Sequence, residues 1–104
     1  MIYIQEFDAG PGVTNQLVKS LYMNMVPVWE SVWPSNKFLG LYERKFVGSG
    51  PRFMAMWEMP DFSAFDEWRS DWPGCTESDF VQIENEFFEA AAGLTSRVME
   101  RCAR

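Results

Sequence analysis

The chain has 104 residues, enough for one hydrophobic core and too few for two. A hydrophobic fraction of 47% and an aromatic fraction of 16% exclude a disordered chain and require a packed, ring-rich interior. The formal charge of -6 argues against nucleic acid and anionic membranes as partners: acidic groups gather between Glu58 and Glu89, and the basic tail of Arg97, Arg101 and Arg104 is interrupted by Glu100.

No uninterrupted apolar run of about 18 residues occurs, and Met1 leads straight into strand-like residues with no basic-then-apolar leader. A soluble cytoplasmic protein is therefore expected. Cys75 and Cys102 lack CxxC spacing and the density of a disulfide scaffold, which fits reduced thiols.

Met1 to Asp8 alternates with period two and predicts a strand, with Ile2, Ile4 and Glu6 on one face and Met1, Tyr3, Gln5 and Phe7 on the other. Gly10, Pro11 and Gly12 break it. From Val13 the period becomes helical: Leu17, Leu21, Met25, Val28, Trp29 and Val32 form a stripe, with Val18 and Tyr22 beside it and Thr14 as cap. Pro27 cannot donate to the carbonyl four residues back, so a kink or restart is expected near Met25, opening space beneath Tyr22, Trp29 and Trp33. Pro34 should end the helix.

Phe38 to Met59 reads as two strands joined by Gly48-Ser49-Gly50-Pro51. Strict alternation puts Phe38, Gly40, Tyr42, Arg44 and Phe46 on one face of the first strand, and Phe53, Ala55, Trp57 and Met59 on one face of the second. Both faces are apolar, unlike a sheet with one side in water. Asp61 can cap a short helix carrying Phe62, Phe65 and Trp68, which Trp72-Pro73-Gly74 ends. A further helix is expected from Ser78 to Ala92 with Phe80, Ile83, Phe87 and Ala91 buried and Gly93 as its cap. Leu94 to Cys102 alternates as a last strand.

The order βαββαβ is that of the α+β ferredoxin-like sandwich, a four-stranded antiparallel sheet with helices on one face. The other apolar face then needs a cover. A second copy of the same sheet supplies one, so pairing as a dimeric α+β barrel is expected over the single domain 1–104.

The chain resembles the dimeric α+β barrel superfamily, and within it the NIPSNAP-like branch. The resemblance rests on the MIYIQEF strand leading into Pro11-Gly12 and a helix, on Phe38-Leu39-Gly40-Leu41-Tyr42, and on Met56-Trp57-Glu58-Met59 before a short acidic aromatic helix. It implies relatives that include cofactor-independent monooxygenases, haem-degrading enzymes, small lyases and cyclases, and proteins of no known activity. Fold alone does not choose among them.

There is no histidine. That removes Ser-His and Cys-His nucleophile pairs, histidine-ligated haem or zinc, and the commonest general base, so no cofactor is expected. Glu6 shares a face with Ile2 and Ile4. If that face stays covered, the carboxyl is desolvated toward the range of a general base; otherwise it reaches water or pairs with Arg44 or Arg52. Glu6→Gln would then abolish turnover and leave the dimer intact. Glu58 fits a dimer-rim ion pair as well as catalysis. Glu84, Glu86 and Glu89 read as the wet face of the last helix.

Tyr22, Trp29, Trp33, Tyr42 and Trp57 are candidate pocket walls, since indoles and phenols combine apolar area with one polar tip, and Arg44 is a candidate to hold a substrate carboxylate or to form an ion pair. Rings at helical spacing are nevertheless core more often than pocket wall. Asn15 and Asn24, with these rings, match the side-chain types that the resemblance implies for holding a phenolic substrate in cofactor-independent monooxygenases. The leading expectation is a small hydrophobic or aromatic ligand handled by oxygenation or proton transfer. The alternative is a non-catalytic binding or assembly module using the acidic surface.

Overall fold

The structure is a computed structural model that describes residues 1–45, 48–61, 63 and 78–103. Its elements are β1 (Ile2–Ala9), α1 (Asn15–Val32), β2 (Lys37–Glu43), β3 (Phe53–Glu58), α2 (Ser78–Ala90) and β4 (Ala91–Met99). The strands form one antiparallel sheet in the order β2-β3-β1-β4, so β1 and β3 are central and the crossovers are those of the ferredoxin-like sandwich. The expected fold class stands. The predicted helix beyond Asp61 lies outside the described residues, although the Asp61 carboxylate accepts the Ser63 amide at 2.8 Å, as an N-cap would.

The alternation of β1 divides the sheet as expected. Phe7 and Gln5 are buried beneath the helices, and Tyr3 packs against the same core. Phe53, Ala55 and Trp57 of β3 join them, and α1 and α2 close over this face with Val18, Tyr22, Met25, Val26, Trp29, Trp33 and Phe87. On the opposite face Ile2, Ile4 and Glu6 stand across from Glu58, Met56 and Met54 of β3, and from Met99, Arg97 and Thr95 of β4.

α1 departs from its prediction in two ways. The buried stripe is Val18, Tyr22, Met25, Val26, Trp29 and Trp33, while Leu17 is exposed, so the helix is rolled about its axis relative to the expected face. It also runs unbroken through Pro27. Met23, whose carbonyl loses its donor there, and Pro27 are both exposed, so water can satisfy that carbonyl. Thr14 caps the start by accepting the Leu17 amide at 3.1 Å, and the helix stops before Pro34.

Two bulges change what the strands present. Between Phe38 and Gly40 the register of β2 slips by one residue against β3, and Gly40 takes φ 150°. Phe38 and Leu41 therefore both pack on the core, and the single alternation expected from Phe38 to Arg44 is broken. In β4 the register against β1 slips between Glu6 and Asp8, where Gly93 lies at φ 64°. Gly93 is thus the left-handed residue of a bulge rather than a helix cap, because α2 ends at Ala90 and the chain passes directly into β4. No helix among the described residues is long and apolar enough to cross a membrane.

Candidate functional site

Tyr22, from the middle of α1, sits at the centre of the space between helices and sheet and is fully buried. Its ring stacks on Phe7 at 5.4 Å between centroids and meets Trp29 and Phe87 edge-on at 5.8 and 5.3 Å. Trp29 also contacts Trp33 at 6.0 Å and Trp57 at 5.8 Å, and Trp57 contacts Phe38 at 4.9 Å. Helical spacing of Tyr22, Trp29 and Trp33 and the inward face of β3 bring these rings together. Four of the candidate wall residues, Tyr22, Trp29, Trp33 and Trp57, therefore form one cluster.

A polar chain runs through it. The Trp57 indole N–H donates to Tyr22 Oη at 2.9 Å, and the Tyr22 hydroxyl donates to Gln5 Oε1 at 2.6 Å. Burial pushes the Tyr22 phenol well above its ordinary pKa; the Trp57 hydrogen bond opposes the rise and nearby Tyr3 adds to it. Tyr22 is accordingly a neutral donor at physiological pH. A phenol fixed between a donor and an acceptor is fully satisfied, which keeps the chain rigid in a low-dielectric setting.

Glu84 of α2 is the residue that sequence reasoning put in water and the structure buries, with 5% of its surface exposed. Burial raises its pKa, and the Trp29 indole beside it partly offsets that rise. The two stop short of a well-formed bond, since Trp29 Nε1 is buried without a hydrogen-bond partner. The signal was present in the spacing: Glu84 is three residues before Phe87 and four after Phe80, on the stripe itself. Gln5 was assigned to the correct face and not recognised as a partner for Tyr22.

The other expected residues lie elsewhere. Tyr42 is 54% exposed on the far side of the sheet, its ring over Gly40. Arg44 turns into the hairpin, where its guanidinium donates to the carbonyls of Gly48 and Gly50 at 3.3 and 3.4 Å. Glu6 faces away from the aromatic cluster and pairs with Arg97 of β4, neither of the two arginines expected. Asn15 and Asn24 are exposed on α1, Glu58 is exposed at the end of β3, and Glu86 and Glu89 line an open groove on α2 with Val81, Gln82 and Asn85.

The sheet order and the helical layer on one face are those of the ferredoxin-like fold. No family model matches the chain, and no curated protein matches it. Solved structures do. Protein Atu4242 from Agrobacterium tumefaciens superposes with a TM-score of 0.71 at 12% identity, over 96% of this chain and 92% of that one. At3g17210 from Arabidopsis thaliana gives 0.66 at 9% identity, over 99% and 96%. SnoaB from Streptomyces nogalater, a cofactor-independent oxygenase, gives 0.58 at 9% identity, over 96% and 92%. At such identities the likeness is one of fold.

Proposed function

We propose that the chain is a NIPSNAP-like homodimer whose helix–sheet cluster binds a small electron-rich aromatic molecule and oxygenates it without a cofactor. The observation that carries this reading is the Trp57–Tyr22–Gln5 chain sealed among rings. It gives neutral hydrogen-bonding groups inside apolar walls, the environment in which a phenolic ring is held and water excluded. A phenol is itself a sufficient reductant: on reaction with dioxygen, one oxygen atom enters the ring, the other leaves as water, and the product is a quinone. The substrate supplies all four electrons. The cofactor-independent oxygenase SnoaB shares the fold and supports the assignment of reaction type.

The dimer is part of the proposal. Ile2, Ile4, Met54, Met56 and Met99 make the sheet face turned away from α1 and α2 largely apolar among the described residues, with the Glu6–Arg97 pair set in it. A second copy covering it would bury the same patch on both subunits. Glu6 belongs, on this reading, to the interface and not to the reaction.

Oxygen uptake by chelator-treated protein with a panel of mono- and dihydroxybenzenes tests the function. Turnover with one labelled oxygen atom from dioxygen in each quinone is expected. Uptake that requires added metal or reductant would remove the cofactor-independent reading. One observation favours a second reading, an assembly module: the rings contact one another at 4.9 to 6.0 Å, as a filled core does. Under it the acidic groove on α2 meets a partner and the panel leaves dioxygen untouched.

A further inference from the structure

The chain is acidic, yet four of its nine Lys and Arg residues, Lys19, Arg44, Lys45 and Arg52, meet at one corner of the sheet. Lys19 comes from α1, Glu43 ends β2, Arg44 and Lys45 follow it, and Arg52 precedes β3. Glu43 Oε1 has Lys19 Nζ at 3.7 Å, and its Oε2 has Lys45 Nζ at 3.3 Å and Arg52 Nη1 at 4.0 Å. All three separations exceed the ~2.7–2.9 Å of a charge-assisted hydrogen bond, so the cations converge on the carboxylate without closing on it. Arg52 is fixed further: its Nη1 donates to the Arg44 carbonyl at 3.2 Å, and its backbone amide donates to Asp8 Oδ1 at 2.8 Å. Arg44 directs its guanidinium to the neutral carbonyls of Gly48 and Gly50, and its Nε is buried without a partner. Among the described residues, four cations thus meet two carboxylates, Glu43 and Asp8. Like charges gathered around one carboxylate repel one another, and a further anion relieves that repulsion.

The geometry points to a phosphoryl-binding site at this corner, in which Lys19, Lys45 and Arg52 hold the oxygens of a small phosphate dianion. Three cations from three separate segments call for a group with at least three oxygens. A carboxylate has two oxygens and one charge, which leaves one cation and part of the surplus unmatched; a phosphate dianion matches both. The side chains of Lys19, Arg52 and Lys45 are 38%, 37% and 65% exposed, so the anion reaches them from solvent without opening the core. Glu43, at 16%, lies behind them and opposes the anion more weakly than they attract it. The rest of the molecule carries excess negative charge, which repels an extended polyanion and confines the ligand to one small phosphate. Free phosphate and an organic phosphomonoester share that chemistry. The aromatic cluster takes no part, so this site and the proposed function stand or fall separately.

The test follows backbone amide resonances of the full chain as inorganic phosphate is added at constant ionic strength, at about pH 8 where it is a dianion. Those of Lys19, Lys45 and Arg52 should move to saturation, and acetate should bind at least about tenfold more weakly. Lys45→Gln, at the most exposed of the three positions, should weaken phosphate binding by about fivefold with the fold intact. Glu43→Gln keeps an acceptor for the cations and removes the opposing charge, so it should tighten phosphate binding by about threefold. Ion pairs that only pin the hairpin predict no such gain. Phenyl phosphate distinguishes the two sources: tighter binding than phosphate indicates an organic monoester, and equal or weaker binding indicates free phosphate. Shifts that chloride reproduces at the same ionic strength overturn the proposal. So does phosphate affinity unchanged in Lys45→Gln, or not raised in Glu43→Gln.

Discussion

Replacing Tyr22 by phenylalanine keeps the ring and removes one oxygen atom that serves two partners. The Trp57 indole loses its acceptor and Gln5 Oε1 loses its donor, both inside the core. A buried polar group left without a partner costs about 1–3 kcal/mol, so two of them should cost Tyr22→Phe about 2–6 kcal/mol. For a chain of this size that corresponds to a fall in Tm of roughly 10–30 °C. Urea titration at fixed protomer concentration is the assay, with the m-value unchanged if only the native state is affected. Gln5→Leu breaks the same bond from the other side, so the double variant should be less destabilised than the sum by about 1–2 kcal/mol. High pH adds an independent check. Because burial holds the Tyr22 phenol above its unfolded value of 10.0, its contribution is complete below pH 10 and is lost as the unfolded chain ionises above it. Tyr22→Phe should flatten that alkaline decline. A change below about 0.5 kcal/mol in Tyr22→Phe, or strict additivity with Gln5→Leu, would refute the claim that this chain holds the core together.

Glu84→Gln should stabilise the protein at pH 7: the raised carboxyl favours folding only below its unfolded pKa near 4.5, and that contribution is lost as pH rises through the folded value, so the advantage should vanish in melts below pH 4.5. A variant advantage independent of pH would contradict burial of the charge. Gly93→Ala forces a β-carbon into φ 64° and should cost about 1–2 kcal/mol by urea titration, whereas a neutral result would mean that the bulge relaxes. Arg97→Glu places like charges across β1 and β4 on the open face and should shift light-scattering mass from dimer toward monomer; a dimer of unchanged affinity would move the interface off this sheet face.

What the sequence made legible was periodicity. β1, the β2–β3 pair, α2 and their order follow from alternation and helical spacing, and with them the sheet face that carries Gln5 and Phe7. What it hid was phase. One slipped residue at Gly40 turns Leu41 inward with Phe38 and Tyr42 outward, and no local property of Phe38 to Arg44 announces a bulge whose partner is β3. The roll of α1 is of the same kind: Leu17 and Val18 are equally apolar neighbours, and only packing against Phe7 and Phe87 selects Val18. Glu84 was assigned to water because its charge outweighed its spacing. Glu6, for which the sequence left both a covered carboxyl and an arginine pair open, takes an arginine pair, and β4 supplies that arginine from far along the chain.

The claim that the space between helices and sheet is a ligand site is tested most directly by following the indole N–H resonances of the five tryptophans while p-methoxyphenol is added. The resonances of Trp29, Trp33 and Trp57, whose rings line that space, should move to saturation as the ligand ring enters it. A Trp29 resonance that stays fixed at saturating phenol would contradict the account and return these rings to the core.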